Sequence, residues 1–329
     1  MKTQKYNYRT AILSAFEYLL KNYKETFIIG QGLWSPWYVG NSMTDLDKKF
    51  GKDRVIDTPV SESATTGAAI GASLAGMKPI VVHPRMDFML YAMDTIVNQA
   101  AKWSHMFGGQ THPGVTIRSI INRGGEQGAQ HSQALHAWFA HVPGLRVVMP
   151  STVADARDLL IASVLCKDPV IYIDDRWLYE QEANLAPIIE LDLKTVKPQI
   201  SLKGSDITIV ASGYSSYLAV EAAKKLNSKN IFPEIVDVRI LNPLYIKDVI
   251  HSVKKTRRLM VLDSGWISSG FSGELITKVV ENLEASCLVS PPVRVALPDA
   301  PAPTSRVLEK EYYTSLDKII FMINKIIKK

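Results

Sequence analysis

Cysteine is nearly absent from the sequence. Cys166 and Cys287 lie far apart, in segments that have the pattern of regular structure. They offer neither a disulfide framework nor the paired ligands of a zinc site. No apolar run approaches the roughly 20 residues that span a bilayer. Because the N-terminal segment mixes charges with apolar positions and lacks a small-residue cleavage site, we expect a cytoplasmic protein with no membrane partner.

Concentrated positive charge is also scarce. The formal net charge is +6, but lysine and arginine are spread along the chain, with local concentrations at 254–258 and 325–329. Proteins that bind nucleic acid usually carry clustered basic residues on one face or one helix. We therefore expect no nucleic acid partner.

The phosphate-binding motifs of nucleotide enzymes are missing as well. The glycines of residues 57–77 (DTPVSESATTGAAIGASLAGM) do not form the G-x-G-x-x-G turn, and the chain has no Walker loop. This absence argues against a nicotinamide-dependent dehydrogenase. The histidines show no spacing typical of metal ligands, so we predict no metal site within this chain.

Continuous apolar runs alternate with segments of helical period through the first part of the chain. Such runs are typical of strands buried on both faces, and the alternation predicts a parallel, doubly wound sheet with helices on both sides. Helices are predicted over 8–23 and 154–166. The predicted strands are 27–32, 55–60, 78–84, 115–121, 145–151 and 169–175.

The same α/β alternation returns after a polar, proline-containing stretch that begins near Leu178. Strands are predicted at 207–212, 233–241 and 258–265, with helices over 217–226 and from Tyr245. An amphipathic helix should end the chain and dock on its own domain, because apolar residues recur at helical spacing from Leu316 to Ile327. We predict two doubly wound domains, 1–180 and 203–329, joined by a linker at 181–202.

Glu62 is a first site candidate. It follows a predicted strand and opens a helix rich in glycine and alanine. Open α/β sheets bind ligands at the carboxyl ends of their strands, which favours a functional carboxylate at this position. A glutamate can equally complement the N-terminus of a helix, and the two roles can coexist.

Two further segments carry candidate side chains. Phe88 and Tyr91 lie three residues apart after the strand at 78–84 and so share one helical face, either as core residues or as a stacking platform for a planar heterocycle. His131 follows glycine-rich sequence and is expected on a loop, where histidines serve acid-base or anion-binding roles more readily than in a core.

These segments resemble the beta subunits of the E1 component of pyruvate and branched-chain 2-oxo acid dehydrogenases. The similarity includes DTPVSE, the strand-to-helix piece with Phe88, and AQHSQALHAWFAHVPGLRVVMP at 129–150. It continues into SDITIVASG, VDVRILNPL and RLMVLDSGW, which resemble a transketolase C-terminal domain. The resemblance implies a pyrimidine-binding domain for thiamine diphosphate, followed by that C-terminal domain.

The resemblance also implies roles for the matching residues. Glu62 would hold N1′ of the cofactor's aminopyrimidine and promote its imino tautomer. Phe88 would stack on the pyrimidine, and Tyr91 would line the same pocket. His131 would face the substrate. Because Glu62 and the stacking aromatic are both present, the resemblance favours a catalytic chain over a scaffold that kept only the fold.

A second chain is implied by what this one lacks. Thiamine enzymes hold Mg²⁺ and the diphosphate with a G-D-G motif followed by Asn-Asn, and neither is present here. In the family an alpha subunit supplies that half, in an α2β2 assembly. The substrate would be a 2-oxo acid. The acceptor would be a lipoyl-bearing acyltransferase or, alternatively, a sugar or aldehyde that takes a two-carbon unit without a lipoyl step.

Three residues depart from the family pattern. Gln31 stands where the dehydrogenase beta subunits typically carry a glutamate of the cofactor's proton network, and a neutral amide cannot relay charge in the same way. His83 and Arg85 replace largely apolar or aromatic residues beside the expected pocket. Arg85 would either clamp a carboxylate or phosphate of the substrate or form a salt bridge at a surface or subunit interface.

Overall fold

The structure of the chain, a computed structural model, describes residues 4–35 and 37–328. Two compact units divide the chain. The first is formed by Met1–Asn122 with Trp138–Val196, and the second by Arg123–Ala137 with Lys197–Lys329. Each contains a largely parallel sheet with helices, which confirms the predicted α/β class.

The sheet of the first unit runs in the order β6-β7-β5-β4-β2-β3, with all of these strands parallel. The strands up to residue 185 are β1 Gln4–Asn7, β2 Thr26–Gln31, β3 Val55–Thr58, β4 Lys78–His83, β5 Thr116–Ile121, β6 Arg146–Val148, β7 Val170–Asp175 and β8 Glu182–Leu185. The helices up to residue 165 are α1 Tyr8–Asn22, α2 Leu46–Phe50, α3 Glu62–Leu74, α4 Ala101–Met106, α5 His136–Ala140 and α6 Val153–Leu165.

Burial explains why the main elements were predictable. β5 and β7 are buried at every position, as expected of strands covered on both faces. Helix α1 begins with a capping box, in which the Asn7 side chain accepts from the Thr10 amide and the Thr10 hydroxyl accepts from the Asn7 amide. Its buried face, which includes Ile12 and Phe16, makes close contact with α6.

Two segments differ from their predicted structure. The expected linker contains β8, which pairs antiparallel with β1, and a further short strand, Gln199–Leu202. The helix expected after β4 is irregular. A 3₁₀ turn over Phe88–Ala92 is followed by a π-helical segment over Thr95–Ala100 and only then by α4. π-helical turns of this kind are rare and often lie at functional sites.

The sheet of the second unit has the order β14-β13-β10-β11-β9, parallel except for β9 at one edge. The strands from residue 199 onward are β9 Gln199–Leu202, β10 Ile207–Ala211, β11 Pro233–Asp237, β12 Ile240–Asn242, β13 Leu259–Trp266 and β14 Val293–Leu297. The helices are α7 Gly213–Asn227, α8 Lys247–Thr256, α9 Phe271–Glu281, α10 Arg306–Tyr312 and α11 Leu316–Ile327.

Helix α11 has the predicted bounds and docks on its own unit, as predicted. Ile319, Ile323 and Ile326 are buried in the core cluster that α7 and the sheet also form. The predicted strand over 233–241 is instead split into β11 and β12, because Arg239 adopts a positive φ of 54° between them. Within residues 4–35 and 37–328, no helix is long and apolar enough to cross a membrane.

Candidate active site

A pocket opens at the carboxyl ends of three neighbouring strands of the first unit. β2 lies between β4 and β3, and the pairing of Gly30 with Val82 and of Gln31 with Thr58 brings their ends to one edge. The pocket is open to solvent, and the empty space within and in front of it is about 370 Å³. Its lining is Gly30, Gln31, Tyr38, Thr58, Pro59, Ser61, Glu62, Thr65, Val82, His83, Pro84, Arg85 and Phe88. Five of the predicted site residues therefore meet in one place.

Glu62 is the first residue of α3 and lines this pocket, where it is partly buried. The N-cap residue, Ser61, makes no side-chain capping bond in the described structure. A carboxylate at this position is stabilised by the partial positive charge of the helix N-terminus. The position thus combines both roles considered for Glu62, complementing the helix and facing the pocket.

The two aromatic candidates separate. Phe88 begins the 3₁₀ turn and lines the pocket. Tyr91 has 73% of its surface exposed and is not part of the lining. Three residues of 3₁₀ helix advance about 6 Å along the axis, which carries Tyr91 away from the strand end where Phe88 lies.

His83 forms a buried part of the wall. It ends β4, is 3% exposed, and its Nε2 lies 3.2 Å from the Thr66 hydroxyl of α3. Burial lowers the pKa of His83 to about 4. The imidazole is therefore neutral near pH 7 and offers one donor and one acceptor rather than a charge.

Arg85 brings positive charge to the lining. It follows β4 and is partly buried. Burial lowers the pKa of Arg176, and the nearby Arg85 guanidinium lowers it further. The two guanidinium groups thus lie near enough to repel each other, and this side of the pocket is suited to an anionic group.

Tyr38 lines the pocket and was not predicted from the sequence. The Gln31 Nε2 donates to its hydroxyl at 2.6 Å. The loop that carries Tyr38 has no hydrophobic period, so nothing in the pattern pointed to it. The sequence feature that relates to Tyr38 is the glycine at position 32. Its φ is +70°, and a Cβ atom there would lie 2.3 Å from the Tyr38 ring.

His131 lies in the second unit rather than in the unit that lines the pocket. Its loop contains four residues with positive φ, which are Gly124, Gly125, Glu126 and Gly128. The Glu126 amide donates to Glu309 at 3.0 Å and so ties the loop to α10.

A buried pair fixes the end of the same loop. His136 Nε2 lies 2.8 Å from Asp263 on β13. Burial alone would raise the pKa of Asp263, but His136 and the amides of Gly265 and Ser272 outweigh burial and lower the pKa to about 2. Within the part of the chain that the structure describes, no cluster of three or more His, Cys, Asp or Glu is arranged to hold a metal ion.

Comparison with known proteins identifies the family. Residues 4–181 match the transketolase pyrimidine binding domain, and residues 197–319 match the transketolase C-terminal domain. A solved structure described as a split gene transketolase, inactive beta4 tetramer, superposes with a TM-score of 0.77 over 97% of both chains. Its sequence identity is 20%, so this likeness concerns the fold alone.

Three curated relatives are more similar in sequence. The pyruvate dehydrogenase E1 component subunit beta of Rhizobium meliloti is 34% identical over 92% of this chain and 65% of that protein, so the chain spans about two thirds of it. The acetoin:2,6-dichlorophenolindophenol oxidoreductase subunit beta of Cupriavidus necator is 39% identical over 84% of this chain and 81% of that protein. The pyruvate dehydrogenase E1 component subunit beta of Rickettsia bellii is 33% identical over 97% of both. Since these matches run through both units, the chain belongs to the transketolase-like family of E1 component beta subunits.

Proposed function

We propose that this chain is the beta subunit of a thiamine diphosphate-dependent 2-oxo acid dehydrogenase and that it binds the aminopyrimidine of the cofactor. One observation carries the proposal. The Glu62 carboxylate, at the N-terminus of α3, shares a pocket with the Phe88 ring at the carboxyl edge of the sheet. The names of the relatives, which are beta subunits of pyruvate dehydrogenase and of an acetoin oxidoreductase, agree with this assignment.

The lining fits an aminopyrimidine. A planar heterocycle needs apolar walls and a few polar partners. Phe88, Val82 and Pro59 supply the walls, and Glu62 supplies a carboxylate for a ring nitrogen.

The chemistry divides between the cofactor and this chain. Thiamine diphosphate, when bound, supplies a carbon nucleophile and an electron sink for cleavage beside a ketone. Glu62 holds the proton at the pyrimidine nitrogen, and Phe88 orients the ring and excludes water from one of its faces. Gln31 adds a neutral amide to the same wall, and neutral His83 and cationic Arg85 are assigned to the substrate. The roles proposed for Tyr91 in the cofactor pocket and for His131 at the substrate are supported only by the resemblance to the E1 beta subunits.

A partner subunit completes the site in this proposal. This chain has no G-D-G and Asn-Asn motif, so we assign Mg²⁺ and the diphosphate to an alpha subunit in an α2β2 heterotetramer. Exposed apolar side chains near the pocket support a surface that the partner subunit covers. Trp37 is 79% and Val60 68% exposed, and each is the sequence neighbour of a lining residue. Large apolar groups left in water commonly mark protein interfaces.

We further propose a cytoplasmic location. Cys166 and Cys287 are both free thiols in the structure, which agrees with a reducing compartment. Relatives include bacterial proteins and proteins named as mitochondrial.

The acceptor is proposed to be a lipoyl-bearing acyltransferase. The alternative is transfer of a two-carbon unit to a sugar or aldehyde. It depends on the departures from the family pattern at Gln31, His83 and Arg85. The relatives reported above are oxidoreductase beta subunits, so the comparisons do not favour that alternative.

The test uses the chain co-purified with its alpha subunit. We expect the complex to decarboxylate a 2-oxo acid and to acylate a lipoyl domain reductively. Arg85→Ala should weaken use of the 2-oxo acid more than cofactor binding, because we assign Arg85 to the carboxylate of the substrate. Decarboxylation without any lipoyl acylation would contradict the dehydrogenase assignment.

A further inference from the structure

Gln31 and Tyr38 form a hydrogen-bonded pair on the wall of the pocket. The Gln31 Nε2 lies 2.6 Å from the Tyr38 hydroxyl oxygen, and both residues belong to the lining. Gln31 ends β2, whereas Tyr38 comes from the loop that follows it. The pair therefore joins the strand end to the loop at the pocket.

The Tyr38 ring is held by the backbone around it. A Cβ atom on Gly32 would lie 2.3 Å from Cδ1 of Tyr38, so the ring rests directly on that glycine. The Arg176 Nη2 donates to the Tyr38 carbonyl oxygen at 2.6 Å. The Gly32 amide in turn donates to Asp57 at 2.6 Å. The ring thus keeps a defined place while 39% of its surface stays exposed.

The loop beyond Tyr38 is also anchored. The Ser42 hydroxyl donates to the Val39 carbonyl at 2.7 Å and accepts from Arg118 at 2.9 Å. Arg118 is fully buried and pairs with Asp174, which accepts from the Tyr179 hydroxyl. A loop tied to this buried network supports a preorganised binding wall.

The pair has one donor and one acceptor to spare. An amide nitrogen donates and does not accept, so the Tyr38 oxygen is the acceptor in this bond. The Tyr38 hydroxyl proton is then left for a ligand. The Gln31 Oε1 makes no hydrogen bond to any described residue and is left to accept.

We propose that the Gln31–Tyr38 pair is a subsite for a hydroxyl group of the substrate and makes the enzyme prefer hydroxylated 2-oxo compounds. A hydroxyl group donates one proton and accepts another, which matches this pair. A carboxylate only accepts and is matched by Arg85 instead. The inference rests on the proposed function, because it assumes that the substrate reacts in this pocket.

The experiment compares two substrates that differ by a single hydroxyl group, 3-hydroxypyruvate and pyruvate, with the alpha/beta complex. We expect the wild-type kcat/KM to be at least about 10-fold higher for 3-hydroxypyruvate, since a site built to bond a hydroxyl disfavours the analogue that lacks it. Tyr38→Phe and Gln31→Met should each lower this ratio about 10-fold, mainly through the KM for 3-hydroxypyruvate. In Tyr38→Phe, the affinity for Mg²⁺-thiamine diphosphate, measured by calorimetry, should stay within about 2-fold.

Tyr6→Phe is a matched control, because Tyr6 also bonds a glutamine, Gln4, at 2.9 Å but does not line the pocket. It should leave the substrate ratio unchanged. An unchanged ratio in both pocket variants overturns the subsite, and so does a loss of cofactor affinity in Tyr38→Phe, which would reassign the pair to the cofactor. A wild-type complex that binds no cofactor and uses neither substrate overturns the proposed function itself.

Discussion

Glu62 illustrates how one residue can meet two demands. As the first residue of α3, it complements the helix N-terminus, and it lines the pocket at the same time. Loss of the carboxylate should therefore lower the stability of the fold only slightly but lower the reaction rate strongly. An exposed helix-terminal charge contributes about 0.3–1 kcal/mol, whereas proton transfer by a positioned group contributes about 10²–10⁴ in rate.

We predict that Glu62→Ala lowers kcat of the alpha/beta complex by about 10²–10⁴ while the complex still assembles. The matched control is Glu274→Ala, which removes an exposed first-turn glutamate from α9 in the other unit. It should leave kcat unchanged. Near-normal turnover in Glu62→Ala, with assembly verified by gel filtration, would assign this side chain to the helix alone.

The burial of His83 predicts how the stability of the chain depends on pH. Burial lowers the pKa of His83 in the folded chain to about 4, from an ordinary value of about 6.5. Between these values the unfolded chain binds the proton more readily, so the free energy of unfolding should fall as the pH drops. The linkage relation gives a loss of about 2 kcal/mol between pH 7.5 and pH 5.

Denaturant unfolding of the wild type and of His83→Gln at several pH values measures this contribution. The variant should lack the loss assigned to His83, so its unfolding free energy should fall about 2 kcal/mol less than that of the wild type. His251→Gln, which removes an exposed imidazole from α8, controls for the loss of a histidine as such. Parallel pH curves for the wild type and His83→Gln would contradict a buried, neutral His83.

The site residues that could be predicted share one property, which is that they end a strand, closely follow one or open the next helical segment. Parallel strands bring such positions to one sheet edge, so a linear pattern was sufficient. The residues found this way are Gln31, Glu62, His83, Arg85 and Phe88. Tyr38 could not be found, because its place depends on the shape of a loop, on a glycine beneath its ring and on Arg176.

At the scale of elements, the loop after β2 is the most important one for the site, because it places Tyr38 in the pocket. Gly32→Ala would place a methyl group into the Tyr38 ring at a φ of +70°, which L-residues adopt at a cost of about 1–2 kcal/mol. We predict that Gly32→Ala destabilises the chain by about that amount and displaces Tyr38. Denaturant unfolding measures the loss of stability, and the 3-hydroxypyruvate to pyruvate ratio measures the displacement.

Gly71→Ala is the matched control, since a Cβ atom on this α3 residue would meet nothing within 4 Å. It should stabilise the free chain by about 0.5–1 kcal/mol, as expected of alanine in a helix interior. Combining Gly32→Ala with Tyr38→Ala should recover part of the lost stability, because the collision is removed. Strictly additive effects would contradict the contact between Gly32 and Tyr38.

Some secondary structure elements were easier to predict from the sequence than others. The strands at 116–121 and 170–175 are fully buried and rich in isoleucine and other β-branched residues, so the sequence revealed them as strands. β8 and β9 were missed because they are short, largely polar and partly exposed, and they are stabilised by pairing with distant strands rather than by a local pattern. The irregular helix from Phe88 to Met106 also depends on tertiary packing, which periodicity does not report.

At the scale of the whole molecule, the chain provides half of the proposed cofactor-binding site. The pocket of the first unit offers a carboxylate and an aromatic ring for a pyrimidine. The sequence has no motif for Mg²⁺ and the diphosphate, and apolar side chains beside the pocket remain exposed in the single chain. These observations support an obligatory partner for cofactor binding.

Calorimetric titration of Mg²⁺-thiamine diphosphate into the isolated chain and into the alpha/beta complex tests this claim most directly. We predict saturable binding by the complex and none by the isolated chain at cofactor concentrations up to about 1 mM, which corresponds to a binding free energy weaker than about −4 kcal/mol. Circular dichroism should verify that the isolated chain is folded. Binding by the folded, isolated chain with a Kd near 1 μM, or about −8 kcal/mol, would contradict the shared site.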